Sequence, residues 1–322
     1  MAMALASLVL LLCLSPFSLS QSQSEQLRPD YYQTTCPRFE EIMRDTVTTK
    51  QIASPTTAAA ILRLFFHDCF AGGCDASVLI SSTPFHKAER DADINLSLPG
   101  DAFDLVVRAK TALELACPSV VSCSDILAVA SRDLLTMMGG PFYPVQLGRK
   151  DALVSDPALA ESTLPKPTMP MTELIEIFAS KGFSVEEMVA LNGAHTIGFS
   201  HCDQFSADLS RTDPTYNPTY ADGLRRACAD SRQNPSLSVF NDIMTPNKFD
   251  NMYFRNLPKG LGLLSSDRVL YSDRRTRPFV EAYAANETAF FEAFRGAMEK
   301  LSILGVKAGQ QGEIRRRCDA FN

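Results

Sequence analysis

The chain of 322 residues contains no tryptophan and only four histidines, so no indole is available to any site and imidazole chemistry rests on His67, His86, His195 and His201. Basic side chains are in the minority: 31 Lys and Arg stand against 37 Asp and Glu, a net charge of −6. No Lys or Arg run is dense enough to track a nucleic-acid backbone, and Arg315-Arg316-Arg317 reads as a solvated turn beside Cys318. Beyond residue 20 no apolar stretch is long enough to span a bilayer as a helix. Internal repeats and low-complexity blocks are also lacking. What is there is 45% hydrophobic and 21% charged, enough for a substantial core built as one domain or two interlocked lobes.

The long apolar run comes first. Leu8-Val-Leu-Leu-Leu-Cys-Leu14 is followed by Ser15-Pro16 and small residues, with no charge through Ser20. It resembles a cleavable secretory signal at 1–20, leaving a folded domain at 21–322 for export. Removing it takes Cys13 away and leaves Cys36, Cys69, Cys74, Cys117, Cys123, Cys202, Cys228 and Cys318. An even number in an oxidising compartment implies four disulfides out of about a hundred pairings, of which proximity suggests Cys69 with Cys74 alone. A soluble monomer is expected.

Helical periodicity dominates the rest. Residues 104–116, 124–138 and 171–180 repeat apolar side chains every three to four positions, and Gly139-Gly140-Pro141 ends the second. The fold class expected is predominantly α. Leu164-Pro165-Lys166-Pro167-Thr168-Met169-Pro170 is expected to run extended over the surface, dividing a half that carries His67 (about 27–165) from one that carries His195 (about 166–318).

His67 lies in Arg63-Leu-Phe-Phe-His67-Asp68-Cys69-Phe70, where a spacing of four places Arg63 and His67 on one helix face. A fixed cation beside a titratable base suits proton handling on a small, charge-separating substrate. A solvent-facing pair is the plainer alternative, but Leu62, Leu64, Phe65 and Phe66 leave little polar surface around it. His195 follows a capping box, Ser184-Val-Glu-Glu187, and apolar Val185, Met188, Val189 and Leu191, so it sits near the end of a largely buried helix. That place suits one axial metal ligand, although a lone histidine on such a helix is more often a hydrogen-bonded core residue. His86 and His201 lie in polar, loop-like sequence without an assigned role.

Asp68-Cys-Phe-Ala-Gly-Gly73-Cys74-Asp75-Ala-Ser77 supplies carboxylates, a hydroxyl and glycines that let carbonyls turn inward, a donor set for a hard cation such as calcium. Zinc on His67, Cys69 and Cys74 is the alternative and requires free thiols.

These motifs, with Gly193-Ala-His195-Thr-Ile-Gly198 and the eight-cysteine framework, resemble the class III secretory plant peroxidases from about Gln26 to Cys318. The resemblance implies a two-lobed, almost wholly helical fold holding one haem b between a distal and a proximal half, with two calcium ions. It implies that His67 takes a proton from hydrogen peroxide and returns it to the departing oxygen, that Arg63 stabilises the developing charge, and that Asn95 keeps the imidazole basic. His195 would be the axial iron ligand and Asp267 the acceptor of its second ring N–H. One calcium would take Asp68, Ala71, Gly73, Asp75 and Ser77, with Glu89 through water; the other would take Thr196, Asp242, Thr245, the Lys248 carbonyl and Asp250. The implied bridges are Cys36–Cys117, Cys69–Cys74, Cys123–Cys318 and Cys202–Cys228.

Phenolic donors would seat near Pro165 and be oxidised in two one-electron steps, in cell-wall cross-linking, lignification, peroxide removal or oxidative stress. The chain departs from the family at several places. Tyr143 stands where many members carry tryptophan, Ser97-Leu-Pro-Gly-Asp-Ala-Phe103 replaces the commoner Arg-Gly-Phe run, and Asp93, Thr168 and Gln204 stand where some members place phenylalanines. Ending four residues after Cys318, the chain is expected in the extracellular space, the apoplast and cell wall. Of the sequons at Asn95 and Asn286, sugar is expected on Asn286 alone. Two other readings remain, a zinc hydrolase using His67 and Asp68 and a calcium-stapled wall-binding protein.

Overall fold

The computed structural model describes residues 27–209 and 213–322; the expected signal segment, 1–20, lies outside them. Thirteen α-helices are described, joined by short 3-10 turns. In the first half these are α1 (Phe39–Ala53), α2 (Thr57–Ala71), α3 (Gly100–Ala116), α4 (Cys123–Met137) and α5 (Pro157–Thr163). The second half holds α6 (Met171–Ser180), α7 (Val185–Asn192), α8 (Ser206–Leu209), α9 (Pro218–Ala227), α10 (Met252–Asn256), α11 (Ser265–Ser272), α12 (Arg277–Ala285) and α13 (Glu287–Ser302). The described strands are β1 (Phe199–His201) and β2 (Ser238–Phe240), an antiparallel ladder with Phe199 opposite Phe240.

The helix ends follow from local chemistry. Ser122 caps α4 by accepting from Asp125 N at 3.1 Å. Ser184 and Glu187 form the expected capping box, with Ser184 N donating to Glu187 Oε2 at 2.7 Å and Glu187 N to Ser184 Oγ at 3.1 Å. α3 begins four residues before its apolar repeat because Pro99 leads into it and Asp101, in its first turn, pairs with Lys50 and accepts from Thr57 Oγ1 at 2.7 Å. Residues 164–170 carry no helix or strand, and Met169 N donates to Lys166 O at 3.0 Å, so a tight turn interrupts the extended run.

One core unites the two halves. α2, buried on nearly every face, packs on α3, α4 and α13, and α13 packs on α7. Phe249, Phe254, Phe290 and Phe294, all fully buried, form an aromatic cluster joining the segment around α10 to α13, mostly edge to face, and truncating one to alanine would cost about 3–5 kcal/mol. The disulfides among the described residues are Cys36–Cys117, Cys69–Cys74, Cys123–Cys318 and Cys202–Cys228. The zinc alternative falls with them, because both of its sulfurs are bonded to each other.

The arginine run corrects a second expectation. Arg316 and Arg317 face solvent, but Arg315 is fully buried and donates to Ala76 O at 2.7 Å and Ala152 O at 2.6 Å. It ties the chain's last segment to the loop after α2.

Candidate active site

Arg63 and His67 project from the same side of α2. His67 Nδ1 lies 2.7 Å from Asn95 Oδ1, and Asn95 Nδ2 donates to Glu89 O at 2.7 Å. That second bond fixes the amide, since only nitrogen can donate to a carbonyl; Nδ1 of His67 therefore carries the proton and Nε2 keeps its lone pair. Burial, then the Arg63 charge, pushes His67 down to about 3 despite the Asn95 bond. It is a neutral base at any ordinary pH. Burial also lowers Arg63, to about 10, and among the described residues no carboxylate pairs with it. Its guanidinium instead donates from Nη1 to Ser97 O at 2.8 Å and from Nη2 to Ser97 Oγ at 2.9 Å.

His195 comes just after α7, in the 3-10 turn Gly193–Thr196 rather than in the α-helix itself. Gly193 is required there, because a Cβ would drive into the rings of Phe290 and Phe254. His195 Nδ1 donates to Asp267 Oδ1 at 2.8 Å; the same carboxylate accepts from Tyr253 OH at 2.9 Å and, through Oδ2, from Leu264 N at 3.0 Å. Burial opposes the imidazolium, but the charge and hydrogen bond of Asp267 outweigh it and raise His195 above its ordinary value. Burial likewise opposes the Asp267 charge, and His195, Leu264 N and Tyr253 hold it below the ordinary carboxylate range. With Nδ1 committed, Nε2 is free, and 34% of the side chain stays open while Asp267 beneath it is shut off. The Arg63 charge acts on both imidazoles.

This arrangement fits haem: an imidazole oriented from behind, with an open nitrogen, on one side, and a neutral base with a fixed cation on the other.

The carboxylates fall into two clusters beside these histidines. In the first, Asp68 Oδ2 accepts from Ala76 N at 2.9 Å while Oδ1, buried, has no hydrogen-bond partner among the described residues. Asp75 accepts from Ser77 N at 3.2 Å, and Ser77 Oγ donates to Glu89 Oε2 at 3.0 Å. Burial raises all three acids, Glu89 to about 7 and Asp68 well above the ordinary carboxylate range, with Asp75 adding repulsion. Lys307, 3.6 Å from Asp75, and Arg315 oppose the repulsion but leave Asp68 Oδ1 without a partner, and a hard cation fits that orphaned oxygen. The Ala71 carbonyl accepts from Lys181 Nζ at 2.9 Å, and Gly73, at φ +129°, packs against the Gly305 backbone where no Cβ fits.

In the second cluster Thr245 Oγ1 donates within 3.1 Å of Asp250 Oδ1 and lies 3.2 Å from Asp242 Oδ2, and Thr196 Oγ1 lies 3.4 Å from Asp250 Oδ1. Lys248 adds its ammonium, 3.4 Å from Asp250 Oδ2. Burial raises Asp242. Among the described residues no three His, Cys, Asp or Glu side chains form a metal group, so any cation here depends on hydroxyls and main-chain carbonyls.

From sequence, Ser97 has no place in the site beyond closing the Asn95 sequon, and Tyr253 carries no motif; only the fold brings them to Arg63 and Asp267. His86, exposed, reaches Ser155 O at 3.0 Å through Nε2, away from both histidine centres. Pro165 is half-buried, while Asp93, Thr168 and Gln204 are exposed.

The family described as Peroxidase matches residues 43–286. Peroxidase 63 of Arabidopsis thaliana is 61% identical over 319 residues, covering 99% of this chain and 97% of that protein. Peroxidase 31 of the same plant is 62% identical over 297 residues, 92% and 94% of the two chains. Peroxidase 65 is 59% identical over 298 residues, 92% and 89%.

Proposed function

The chain belongs to the class III plant peroxidases and is a haem peroxidase acting on hydrogen peroxide; from that premise we propose that His67, Arg63 and Asn95 form its distal pocket and His195 and Asp267 its proximal support. The observation that carries the assignment is the contrast between the two Nδ1 partners, a neutral amide for His67 and a carboxylate for His195. One haem b per chain, between residues 27–165 and 166–318, would supply the iron that receives peroxide and stores its two oxidising equivalents.

His195 Nε2 would hold that iron, with Asp267 accepting from Nδ1 and giving the ring anionic character. His67 Nε2 takes a proton from peroxide and delivers it to the departing oxygen, which leaves as water. Arg63 donates toward the charge that builds on that oxygen. Two donor molecules then each give one electron and one proton, completing a second water. Phenols are the donors this reading assigns, seated near Pro165, and the exposed polar residues Asp93, Thr168 and Gln204 favour small hydroxylated rings at that approach.

Two calcium ions are assigned, one to Asp68, Ala71, Gly73, Asp75 and Ser77 with Glu89 behind a water, the other to Thr196, Asp242, Thr245, Lys248 and Asp250. Each cluster adjoins a histidine, Asp68 following His67 and Thr196 following His195, so the ions would brace the proton carrier and the axial ligand. Four disulfides support an oxidising compartment, and no described helix is long and apolar enough to cross a membrane. Secretion to the apoplast, a monomeric state and a role in wall cross-linking or peroxide removal complete the reading. Haem reconstitution tests it: a Soret band with peroxide-dependent oxidation of guaiacol is expected. A wall-binding protein without activity would bind no haem or leave guaiacol untouched.

A further inference from the structure

The segment from Asn95 to Asp101 runs antiparallel to α2 and touches it at three heights. Asp101 accepts from Thr57 Oγ1 at 2.7 Å, Ser97 accepts from Arg63 at 2.8 and 2.9 Å, and Asn95 meets His67 at 2.7 Å. Between the inward residues 95 and 97, Leu96 points out and is 66% exposed. Leu98 N donates back to Asn95 O at 2.9 Å, closing the turn, and Pro99 leads into α3, so the rest of the segment is held at both ends.

Ser97 offers Arg63 two acceptors, one on the main chain and one on the side chain, and they engage different nitrogens. A guanidinium gripped at both Nη atoms cannot rotate about its last bonds, and its remaining N–H groups are aimed. Among the described residues no carboxylate forms an ion pair with this cation. The main-chain bond alone would leave one pivot.

We propose that Ser97 is a positioning residue for Arg63, and that Asn95-Leu96-Ser97 serves as a two-pronged clamp on the distal base and cation rather than as a glycan acceptor. The inference rests on the assignment of Arg63 and His67 to the distal pocket. The sequon is then a by-product: the residue types that orient His67 and Arg63 happen to match an acceptor triplet.

The test uses haem-loaded, full-length protein as wild type, Ser97→Ala, Ser97→Thr and Arg63→Leu. Fluoride binding to the ferric protein reports the guanidinium without turnover, because a small anion at the iron accepts from it. Ser97→Ala is expected to weaken fluoride about five- to tenfold and to slow the pre-steady-state reaction with peroxide by a similar factor. Haem content, thermal midpoint and the rate of donor oxidation stay at wild-type values, and Ser97→Thr, which keeps the hydroxyl, restores fluoride and peroxide behaviour. Ser97→Cys, of similar shape with a poorer acceptor, repeats the loss should the alanine form not retain haem. Wild-type fluoride affinity in Ser97→Ala beside a weakened Arg63→Leu overturns the role of Ser97 and leaves the pocket standing; Arg63→Leu without effect overturns the pocket assignment itself. A lowered thermal midpoint with fluoride affinity unchanged would reduce Ser97 to a structural residue and also overturn the proposal.

Discussion

Nδ1 of His67 lies 2.7 Å from Oδ1 of Asn95, a partner that orients the ring without charging it. Burial and Arg63 hold the imidazole down to about 3, so the base is available across the working range. The rate of reaction with peroxide should be flat from about pH 4 to 8 and fall only as the pH approaches 3. Asn95→Asp places a carboxylate at the same nitrogen and raises His67 toward its ordinary value of about 6.5 or beyond; the rate should then decline as pH falls below neutral. Stopped-flow pH profiles of both forms check this, and identical profiles would remove Asn95 from the account. Stability moves in the matching direction: the unfolded chain protonates His67 near 6.5 while the folded one refuses until about 3, so this residue costs stability as pH falls through that window.

Asp267 serves His195 and Tyr253 with one oxygen, at 2.8 and 2.9 Å. If His195 holds the iron as proposed, Asp267→Asn removes the negative charge behind its imidazole and should raise the ferric/ferrous midpoint potential, weakening haem retention about 10- to 100-fold. Tyr253→Phe takes a competing donor away from the carboxylate and should lower the potential. Redox titration of the two variants must show shifts of opposite sign; a common sign contradicts the shared-acceptor reading.

The acids Asp68, Asp75 and Glu89 are raised by burial, Glu89 to about 7. Without calcium, the folded state holds protons that the unfolded state releases near pH 4 to 5, so the calcium-free protein should lose stability as pH rises toward 7. Calcium bound at these acids would replace those protons, and the stabilisation it confers should be larger at pH 8 than at pH 5. Calorimetry with and without a chelator measures it. Activity should fall on chelation and return with calcium, and active protein free of calcium by elemental analysis would end the assignment.

Asn286 is exposed and caps α13, its Oδ1 accepting from Ala289 N at 3.2 Å, a bond a glycan on the nitrogen leaves intact. Asn95 is 2% exposed, with its nitrogen already donating to Glu89 O. Peptide mass spectrometry of secreted, active protein should find sugar on Asn286 and none on Asn95. A glycan on Asn95 would be incompatible with its place beside His67.

The helices were legible where periodicity was strong: residues 171–180 match α6 end to end, and α4 is displaced by one residue from 124–138. α3 ran longer than its apolar repeat because Asp101 is held by Lys50 and Thr57, partners fixed by tertiary structure. Arg315 read as solvated because a triplet of arginines looks like surface; its burial follows from carbonyls of Ala76 and Ala152, more than 160 residues away. The histidines and their partners announced themselves through motifs. Ser97 and Tyr253 did not, since a serine two residues past an asparagine and a tyrosine among apolar neighbours acquire meaning only when α2 and Asp267 are brought beside them.

The most direct measurement is the second-order rate of reaction with hydrogen peroxide for haem-loaded His67→Leu against wild type. The leucine variant should keep its haem, because His195 is untouched, and lose the rate by about 10²- to 10⁴-fold, because no other side chain at that place can carry the proton. A haem-replete His67→Leu that reacts with peroxide at the wild-type rate would contradict the account.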